Sequence, residues 1–335
     1  MRSSKHTPAA FITPGGARYL VVALSLAVLI LAPTGCSSAP DTPEHTVTRK
    51  NQAARYAEFG NTQFNQGNYD LALRYFDLAL AENIAVDNLT GIAQSYNSIG
   101  RVYSITGNPA EARTNFLTAI KFAELADNTE HRMQAQVNLG VVAMQTGDTR
   151  AAREFFQLAQ ETIDADLAQP SAVLHHSMGT LYAREGQFDR AREELERARD
   201  INKESGAWTE LAGNHYMLAS VASRQGLFDD AYREANRALE YDKRAEHSPG
   251  IASDLHALGT ISERRGNLED AYQYYLRSLR VYLALNQARP AAELLGNLEE
   301  VAQRTGREEE ASGFRVERER IEAAIGTVRP RSPAP

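Results

Sequence analysis

Apolar residues recur three and four positions apart along most of this chain. In one such stretch, Ala112, Phe116, Ala119, Ile120 and Ala123 fall on one face of a helix, with polar residues on the other faces. This spacing is typical of an amphipathic α-helix, because about 3.6 residues complete one helical turn. The pattern predicts an all-α protein with negligible strand content.

Glycine interrupts the helical pattern at a nearly constant interval of 40 residues. An alanine stands five residues after each of these glycines, and a small residue stands seven residues before most of them. A glycine in the left-handed conformation ends one helix and starts the turn to the next. Since a single helix pair cannot bury its own apolar face, the pairs are expected to stack into a solenoid. The glycines are Gly67, Gly107, Gly147, Gly186, Gly226, Gly266 and Gly306.

The residues after each glycine are suited to start the second helix of the pair. Asn68, Asn108, Asp148 and Asn267 are the predicted N-caps, since their side-chain oxygens can accept hydrogen bonds from free backbone amides. A bulky residue recurs further along the second helix, and Phe116 is expected to fill the gap to the neighbouring unit.

The stretch Gly67–Asn83 (GNYDLALRYFDLALAEN) resembles the tetratricopeptide repeat through its small, aromatic and small residues. The resemblance extends over residues 53–325 and implies an α-solenoid, a right-handed superhelix of about seven repeats with a groove that binds extended peptides. The family's usual unit has about 34 residues, so the longer units here predict longer helices and a taller wall. The last unit departs from the pattern at Glu299, Arg315 and Arg318 and is expected to cap the open end of the stack.

The N-terminal region has a different composition. It contains basic residues, no acidic ones and a mainly apolar run over Leu20–Ala32, which is typical of a secretory signal peptide. The junction Gly35-Cys36 resembles a lipobox, although Pro33 stands where that family usually has an aliphatic residue. The resemblance implies cleavage before Cys36, a lipid on its thiol and, because Ser37 follows, an outer-membrane location facing the periplasm. A signal peptide cleaved elsewhere and a permanent transmembrane anchor are the alternatives.

These features divide the chain into four predicted parts. Residues 1–35 are a lipoprotein signal peptide, 36–50 a lipidated tether, 51–325 the repeat superhelix and 326–335 a disordered tail. The tether and the tail are assigned from their polar, proline-bearing sequences.

Charge and motif content narrow the class of function. The chain has a formal net charge of −7, and an acidic surface repels phosphate backbones, so no nucleic acid partner is expected. Cys36 is the only cysteine, which excludes disulfides and cysteine chemistry once the thiol is lipidated. The sequence has no zinc-protease, nucleophile-elbow, phosphate-loop or dinucleotide motif. We therefore expect no enzymatic activity, no cofactor and no bound metal.

The candidate binding surface is the inner wall formed by the first helices of the pairs. Residues four apart on each first helix are expected to point into the groove, with Val137, Val141 and Met144 forming an exposed apolar patch at its centre. The alternative is that some of these side chains, the valines more than the asparagines and histidines, face neighbouring helices. The other predicted groove residues are Asn61, Asn97, Arg101, His176, Thr180, Tyr216, Ser220, His256 and Thr260.

The leading hypothesis is a non-catalytic scaffold of the cell envelope. Its partners would be other envelope proteins or extended peptide segments, and its membrane attachment would be the lipid on Cys36. The layout resembles lipoproteins that assist pilus, secretin, outer-membrane or peptidoglycan machinery. A second hypothesis is a ligand or metal sensor, and a third is a cytoplasmic adaptor with a misread N-terminus; self-association is left open. The sensor would use His175, His176, His215 and His256.

Overall fold

The computed structural model describes residues 44–164 and 171–327, and the predicted signal peptide and Cys36 lie outside this part of the chain. Fourteen α-helices and no strand occur in the described residues, which confirms the all-α prediction. The helices are α1 (Glu44–Asn65), α2 (Tyr69–Ala85), α3 (Leu89–Ile105), α4 (Pro109–Leu125), α5 (Thr129–Gln145), α6 (Thr149–Thr162), α7 (Ala172–Arg184), α8 (Phe188–Ser205), α9 (Trp208–Arg224), α10 (Phe228–Arg244), α11 (Ser248–Arg264), α12 (Leu268–Ala284), α13 (Ala288–Arg304) and α14 (Glu308–Thr327).

The odd-numbered helices line the concave side of the stack. Consecutive helices pack on each other along the whole described unit, which is the packing of a solenoid. From α1 to α11 each first helix also contacts the next first helix, and no contact of similar extent joins successive second helices among the described residues. Helices that converge lie on the inside of a curved stack. The first helices therefore form the inner wall, and the second helices form the outer wall.

A residue with a left-handed backbone connects consecutive helices at every turn that lies wholly within the described residues. The seven predicted glycines have φ angles between 73° and 82°, which confirms their conformation. The turns between pairs use the same conformation with φ between 50° and 70°, at residues that stand midway between consecutive glycines. The described turns within and between pairs are therefore alike, and the helices that they join reverse direction at the same interval. The midway residues are Asp87, Asp127, Gly206, Glu246 and Asn286.

A glycine of the first helix lies against a bulky side chain of the second helix in most pairs. A Cβ atom at Gly140 would lie 2.3 Å from Phe156, and one at Gly100 would lie 2.6 Å from Phe116, both closer than real Cβ atoms approach. Phe116 also packs with Leu139 of the next pair. The expectation that it fills only the gap between units was therefore incomplete, because the same ring also holds its own pair together.

The last pair replaces this contact with an ion-pair cluster. Glu299 stands at the small-residue position of α13, and Arg315 and Arg318 stand at the bulky and small positions of α14. Arg315 Nε lies 2.7 Å from Glu299 Oε1, and Arg318 Nη2 lies 3.1 Å from Glu299 Oε2. Among the described residues of α14 only Ala311 is fully buried. The three departures from the sequence pattern therefore belong to one polar contact at the end of the stack.

Two helix ends differ from the predicted part boundaries. Helix α1 begins at Glu44 and so overlaps the predicted tether 36–50, because no proline or glycine interrupts the chain between Pro43 and Gly60. Helix α14 extends to Thr327 rather than ending at 325. None of the helices in the described ranges is both long and apolar enough to span a membrane.

The predicted N-cap residues occupy the N-cap positions, but only one of the four caps with its side chain. Asp148 Oδ1 accepts a hydrogen bond from the Ala151 amide at 2.9 Å. Asn68 donates instead to Gln63 Oε1 at 3.0 Å, and Asn108 donates to the Thr106 carbonyl. Asn267 makes no side-chain cap bond either. When the side-chain amide of Asn68 or Asn108 donates to the preceding turn, the side chain does not cap the following helix.

Gly140→Ala tests the contact between small and bulky residues, with Gly313→Ala as the matched control. The new methyl group would overlap Phe156, so we expect the free energy of unfolding to fall by about 1–3 kcal/mol. Nothing lies within 4 Å of a Cβ at Gly313 in α14. The control should therefore raise the free energy of unfolding by about 0.5–1 kcal/mol, through the helix propensity of alanine. Urea unfolding followed by circular dichroism measures both, and equal changes at the two positions would contradict the role of the contact.

Candidate functional site

The helices α9 and α11 border a pocket of about 330 Å³ on the inner wall. Six of its polar lining residues form three matched pairs, in which a residue of α9 has its counterpart at the same place in the next unit, and Ser223 is the seventh. The structure thus brings together the predicted groove residues Tyr216, Ser220, His256 and Thr260, to which it adds two arginines. The pairs are Tyr216 with His256, Ser220 with Thr260, and Arg224 with Arg264.

The protonation states in this pocket follow from burial. Burial raises the pKa of Tyr216, and the nearby Tyr282, Asp254 and Glu293 add to that shift, so the phenol stays protonated at neutral pH. Burial lowers the pKa of His256, so its imidazole is neutral. The pocket is therefore lined by a phenol, a neutral imidazole, three aliphatic hydroxyls and two guanidinium groups.

The predicted apolar patch in the groove is wrong. Val137 is 0% exposed and Met144 is 4% exposed, and both belong to one core cluster with Phe156 and Leu174. Val141 packs against the same cluster. Aliphatic side chains at this register position are buried between neighbouring helices, because burial removes their surface from water.

Three of the predicted polar groove residues, Asn97, His176 and His256, bond to the neighbouring first helix. Asn97 Oδ1 accepts from Asn138 Nδ2 at 2.8 Å, and His176 Nδ1 lies 2.9 Å from Asn214 Nδ2. His256 follows the same rule, with Nε2 lying 3.2 Å from the Nδ2 atom of Asn297 in α13. The expectation that the asparagines and histidines are reserved for a ligand is therefore wrong, because the next helix supplies the polar partners that they need.

The remaining predicted residues lie along the same wall. Asn61 is exposed on α1. The guanidinium carbon of Arg101 lies 4.6 Å from the ring centroid of Phe64. Thr180 donates through Oγ1 to the His176 carbonyl at 2.9 Å, and Thr260 makes the equivalent bond one turn back in α11.

The four histidines of the sensor hypothesis have four separate partners. His175 Nδ1 lies 2.6 Å from Glu194 Oε2, and His215 Nδ1 lies 2.6 Å from Glu234 Oε2. The hydrogen bond with His175 lowers the pKa of Glu194, although burial opposes this shift. In residues 44–164 and 171–327 no three histidine, cysteine or acidic side chains are grouped as metal ligands. The geometry therefore gives the sensor hypothesis no common site.

A row of arginines along the inner wall was missed in the sequence. Each ends a first helix and reaches back to the end of the preceding first helix. Arg224 Nη1 donates to the Ala183 carbonyl at 2.5 Å, and Arg264 Nη1 donates to Ser223 Oγ at 3.1 Å. The signal is an arginine two residues before each of four consecutive glycines. The row consists of Arg184, Arg224, Arg264 and Arg304.

Distant pairs approach each other across the groove. The turn after α1 and the turn between α12 and α13 line one cavity of about 680 Å³, and a Cβ at Gly67 would lie 3.9 Å from Gln287 Nε2. Burial lowers the pKa of Arg101 on α3, and the charge of Glu210 on α9 opposes that shift. The inner wall therefore curves back on itself and encloses the groove.

Buried polar pairs lie where a second helix meets the next first helix. At one junction Asn202 Nδ2 donates to Asn214 Oδ1 at 2.7 Å. The next junction has Asp242 and Asp254 at these positions, 4% and 1% exposed. Burial and the adjacent Asp242 carboxylate raise the pKa of Asp254 to about 9. His247 Nδ1 lies 2.9 Å from Asp242 Oδ1, and Asp254, with its raised pKa, is the carboxyl group that carries the proton at this junction.

The tetratricopeptide repeat family model matches residues 52–125, 131–204 and 209–284, which is more than half of the chain. The chain therefore belongs to the tetratricopeptide repeat family, and the resemblance found in the sequence is confirmed. None of the curated proteins matches it.

Several solved structures share the fold at low sequence identity. A Rap protein complexed with competence and sporulation factor has a TM-score of 0.62 and 16% identity, over 83% of this chain and 77% of that chain. The Rap conjugation gene regulator of the plasmid pLS20, in complex with the Phr* peptide, has a TM-score of 0.61 and 15% identity, over 90% and 84%. BtubC (BKLC) from P. vanneervenii has a TM-score of 0.57 and 20% identity, over 67% and 94%. These likenesses concern the fold alone.

Asp254→Asn tests the shared proton. The folded chain keeps this proton up to about pH 9, and the unfolded chain releases it near the ordinary value of 3.8. Because the folded state binds more protons between these values, the free energy of unfolding contributed by Asp254 falls as the pH rises through this window. The asparagine can donate to the Asp242 carboxylate at every pH. It should remove the dependence and raise the free energy of unfolding by about 1–3 kcal/mol near pH 8.

Thermal melts of both chains between about pH 5 and pH 9 measure the effect, with denaturant unfolding giving the free energies. Parallel pH profiles of the wild type and the variant would show that no proton is shared at this junction.

Proposed function

We propose that this chain is a non-catalytic scaffold that binds an extended segment of a partner protein in the groove lined by its first helices. The observation that carries the proposal is the polar pocket between α9 and α11, which is part of the enclosed inner wall. An extended segment has backbone N–H and C=O groups that must be paired when they leave water. The phenol of Tyr216 and the hydroxyl of Ser220 are partners of the required kind.

The comparisons support this use of the fold. Two of the similar solved structures are complexes, one with competence and sporulation factor and one with the Phr* peptide. Membership of the tetratricopeptide repeat family supports a binding role without catalysis. Two carboxyl groups with shifted pKa values, Glu194 and Asp254, also support a role without catalysis, because both lie at packing contacts between helices.

The proposal also places the chain in the cell envelope, attached to the outer membrane by a lipid on Cys36 and facing the periplasm. The support is the apolar run before Gly35-Cys36 and the serine that follows it. Since helix α1 begins at Glu44 and an extended residue spans at most about 3.5 Å, the repeats would lie close to the bilayer. The partner would then be another envelope protein.

Photo-crosslinking from the inner wall tests the binding role. Tyr216 on α9 and Leu158 on α6 are exposed to similar extents, 37% and 44%, but lie on a first and a second helix. We expect p-benzoylphenylalanine in place of Tyr216 to form a discrete protein adduct in intact envelopes, and the same residue in place of Leu158 to form none. An adduct from position 158 alone would move the partner to the outer wall.

Cys36→Ser tests the anchor, with Ser37→Ala as the matched control. The wild type and the control should take up an alkyne-bearing fatty acid and fractionate with the outer membrane, because the thiol at position 36 is the proposed acceptor. The serine variant should remain unlabelled at the mobility of the precursor. Labelling of the serine variant at the wild-type level would rule out Cys36 as the lipid site.

A further inference from the structure

The pocket between α9 and α11 carries a local positive charge in an acidic protein. Arg224 and Arg264 line it, although the chain as a whole has a net charge of −7. Among the described residues neither guanidinium forms an ion pair with a carboxylate, and their hydrogen bonds go to a backbone carbonyl and a serine hydroxyl. Two adjacent cations are therefore left without a counter-charge.

The next arginine of the row has a carboxylate partner within the chain. Arg304 ends α13 and forms an ion pair with Glu263, which stands immediately before Arg264. The matching residue one unit earlier is Ser223, which Arg264 contacts, and two units earlier it is Ala183, whose carbonyl Arg224 contacts. The chain thus supplies its own carboxylate for the last arginine of the row and supplies none in the pocket.

The two guanidinium groups are held in place while keeping donors free. An arginine has five N–H donors in a planar fork. Nη1 of Arg224 donates to the Ala183 carbonyl, and the guanidinium carbon of Arg224 lies 4.9 Å from the ring centroid of Phe188. Nη1 of Arg264 donates to Ser223 Oγ. Groups fixed before binding lose little conformational freedom when a ligand arrives.

We infer that this pocket binds a side-chain carboxylate, from an aspartate or a glutamate, of the bound segment. The inference rests on the proposed function and names the chemistry that the segment must present. Two guanidinium forks match the two oxygens of a carboxylate, and such charge-assisted hydrogen bonds are the strongest that a neutral-pH ligand can form here. Tyr216, two helical turns away on the same face of α9, then contacts the backbone of the segment.

The geometry assigns the carboxylate to a side chain within the segment rather than to its C-terminus. First helices continue the inner wall on both sides of the pocket, with α7 before it and α13 after it, so a bound segment runs past the arginines. Because the protein is acidic overall, long-range repulsion disfavours a segment with a run of acidic residues. One or two carboxylates among neutral residues is the sequence that fits.

The test uses immobilised random peptides with amidated C-termini and one fixed central residue, which is Glu, Gln or Lys. The full chain in detergent is the binding protein. We expect the wild type to bind the Glu set about tenfold more tightly than the Gln set, and the Lys set most weakly. Arg224→Gln with Arg264→Gln should abolish this preference. Arg304→Gln is the matched control and should keep it, because Arg304 is already paired with Glu263.

The outcomes separate this inference from the proposed function. Equal binding of the three sets by the wild type would overturn the carboxylate site and leave peptide binding in place. Binding to none of the sets would count against the proposed function, and a preference that survives in the double variant would assign the carboxylate to other residues. A fourth set, with Gln and a free C-terminus, overturns the side-chain assignment if it binds as tightly as the Glu set. The wild-type comparison needs no variant and so does not depend on how the variants fold.

Discussion

The structure depends on residues with a left-handed backbone conformation. These residues are the repeating glycines and the residues that stand midway between them. Because the described turns share one conformation, the helices that they join reverse at the same interval and alternate between the inner and the outer wall. Within a pair, the absence of a Cβ atom at positions such as Gly100 lets the ring of Phe116 approach the first helix. The turn geometry sets the direction of each helix relative to the one before it. The contact between the glycine and the phenylalanine sets the distance between the two helices of a pair.

The pocket is a consequence of that regularity. Tyr216, Ser220 and Arg224 lie four residues apart on one face of α9, and the repeat places their counterparts in α11 beside them. At these register positions Asn97, His176 and His256 bond to the next first helix and so stabilise the stack. In the pocket two arginines of the row lie side by side, and they are anchored by a carbonyl and a hydroxyl rather than by a carboxylate. The proposed carboxylate site lies where these two charges are left unpaired.

The helices, their pairing and the inner wall could be predicted from the sequence, because glycine and alanine spacing reports backbone geometry directly. Side-chain direction could not. Asn97 and Val137 hold the same place in consecutive units, yet one bonds to Asn138 and the other is in the core. Helical periodicity gives the angle of a side chain around its own helix and does not say how far the neighbouring helix covers it. The arginine row could have been predicted from the sequence, because each arginine stands two residues before a repeating glycine.

Removing one whole repeat tests most directly the claim that like turns and paired helices determine the fold. Deleting residues 88–127 joins Asp87 to Asn128 and recreates the Asp-Asn step of the natural turn at Asp87-Asn88. Deleting only 88–107 joins Asp87 to Asn108, which keeps a similar turn but places two second helices in succession. The account predicts that circular dichroism melts show a cooperative, fully helical protein for the first deletion and a loss of cooperativity for the second. Equal tolerance of both deletions, or collapse of the first, would contradict it.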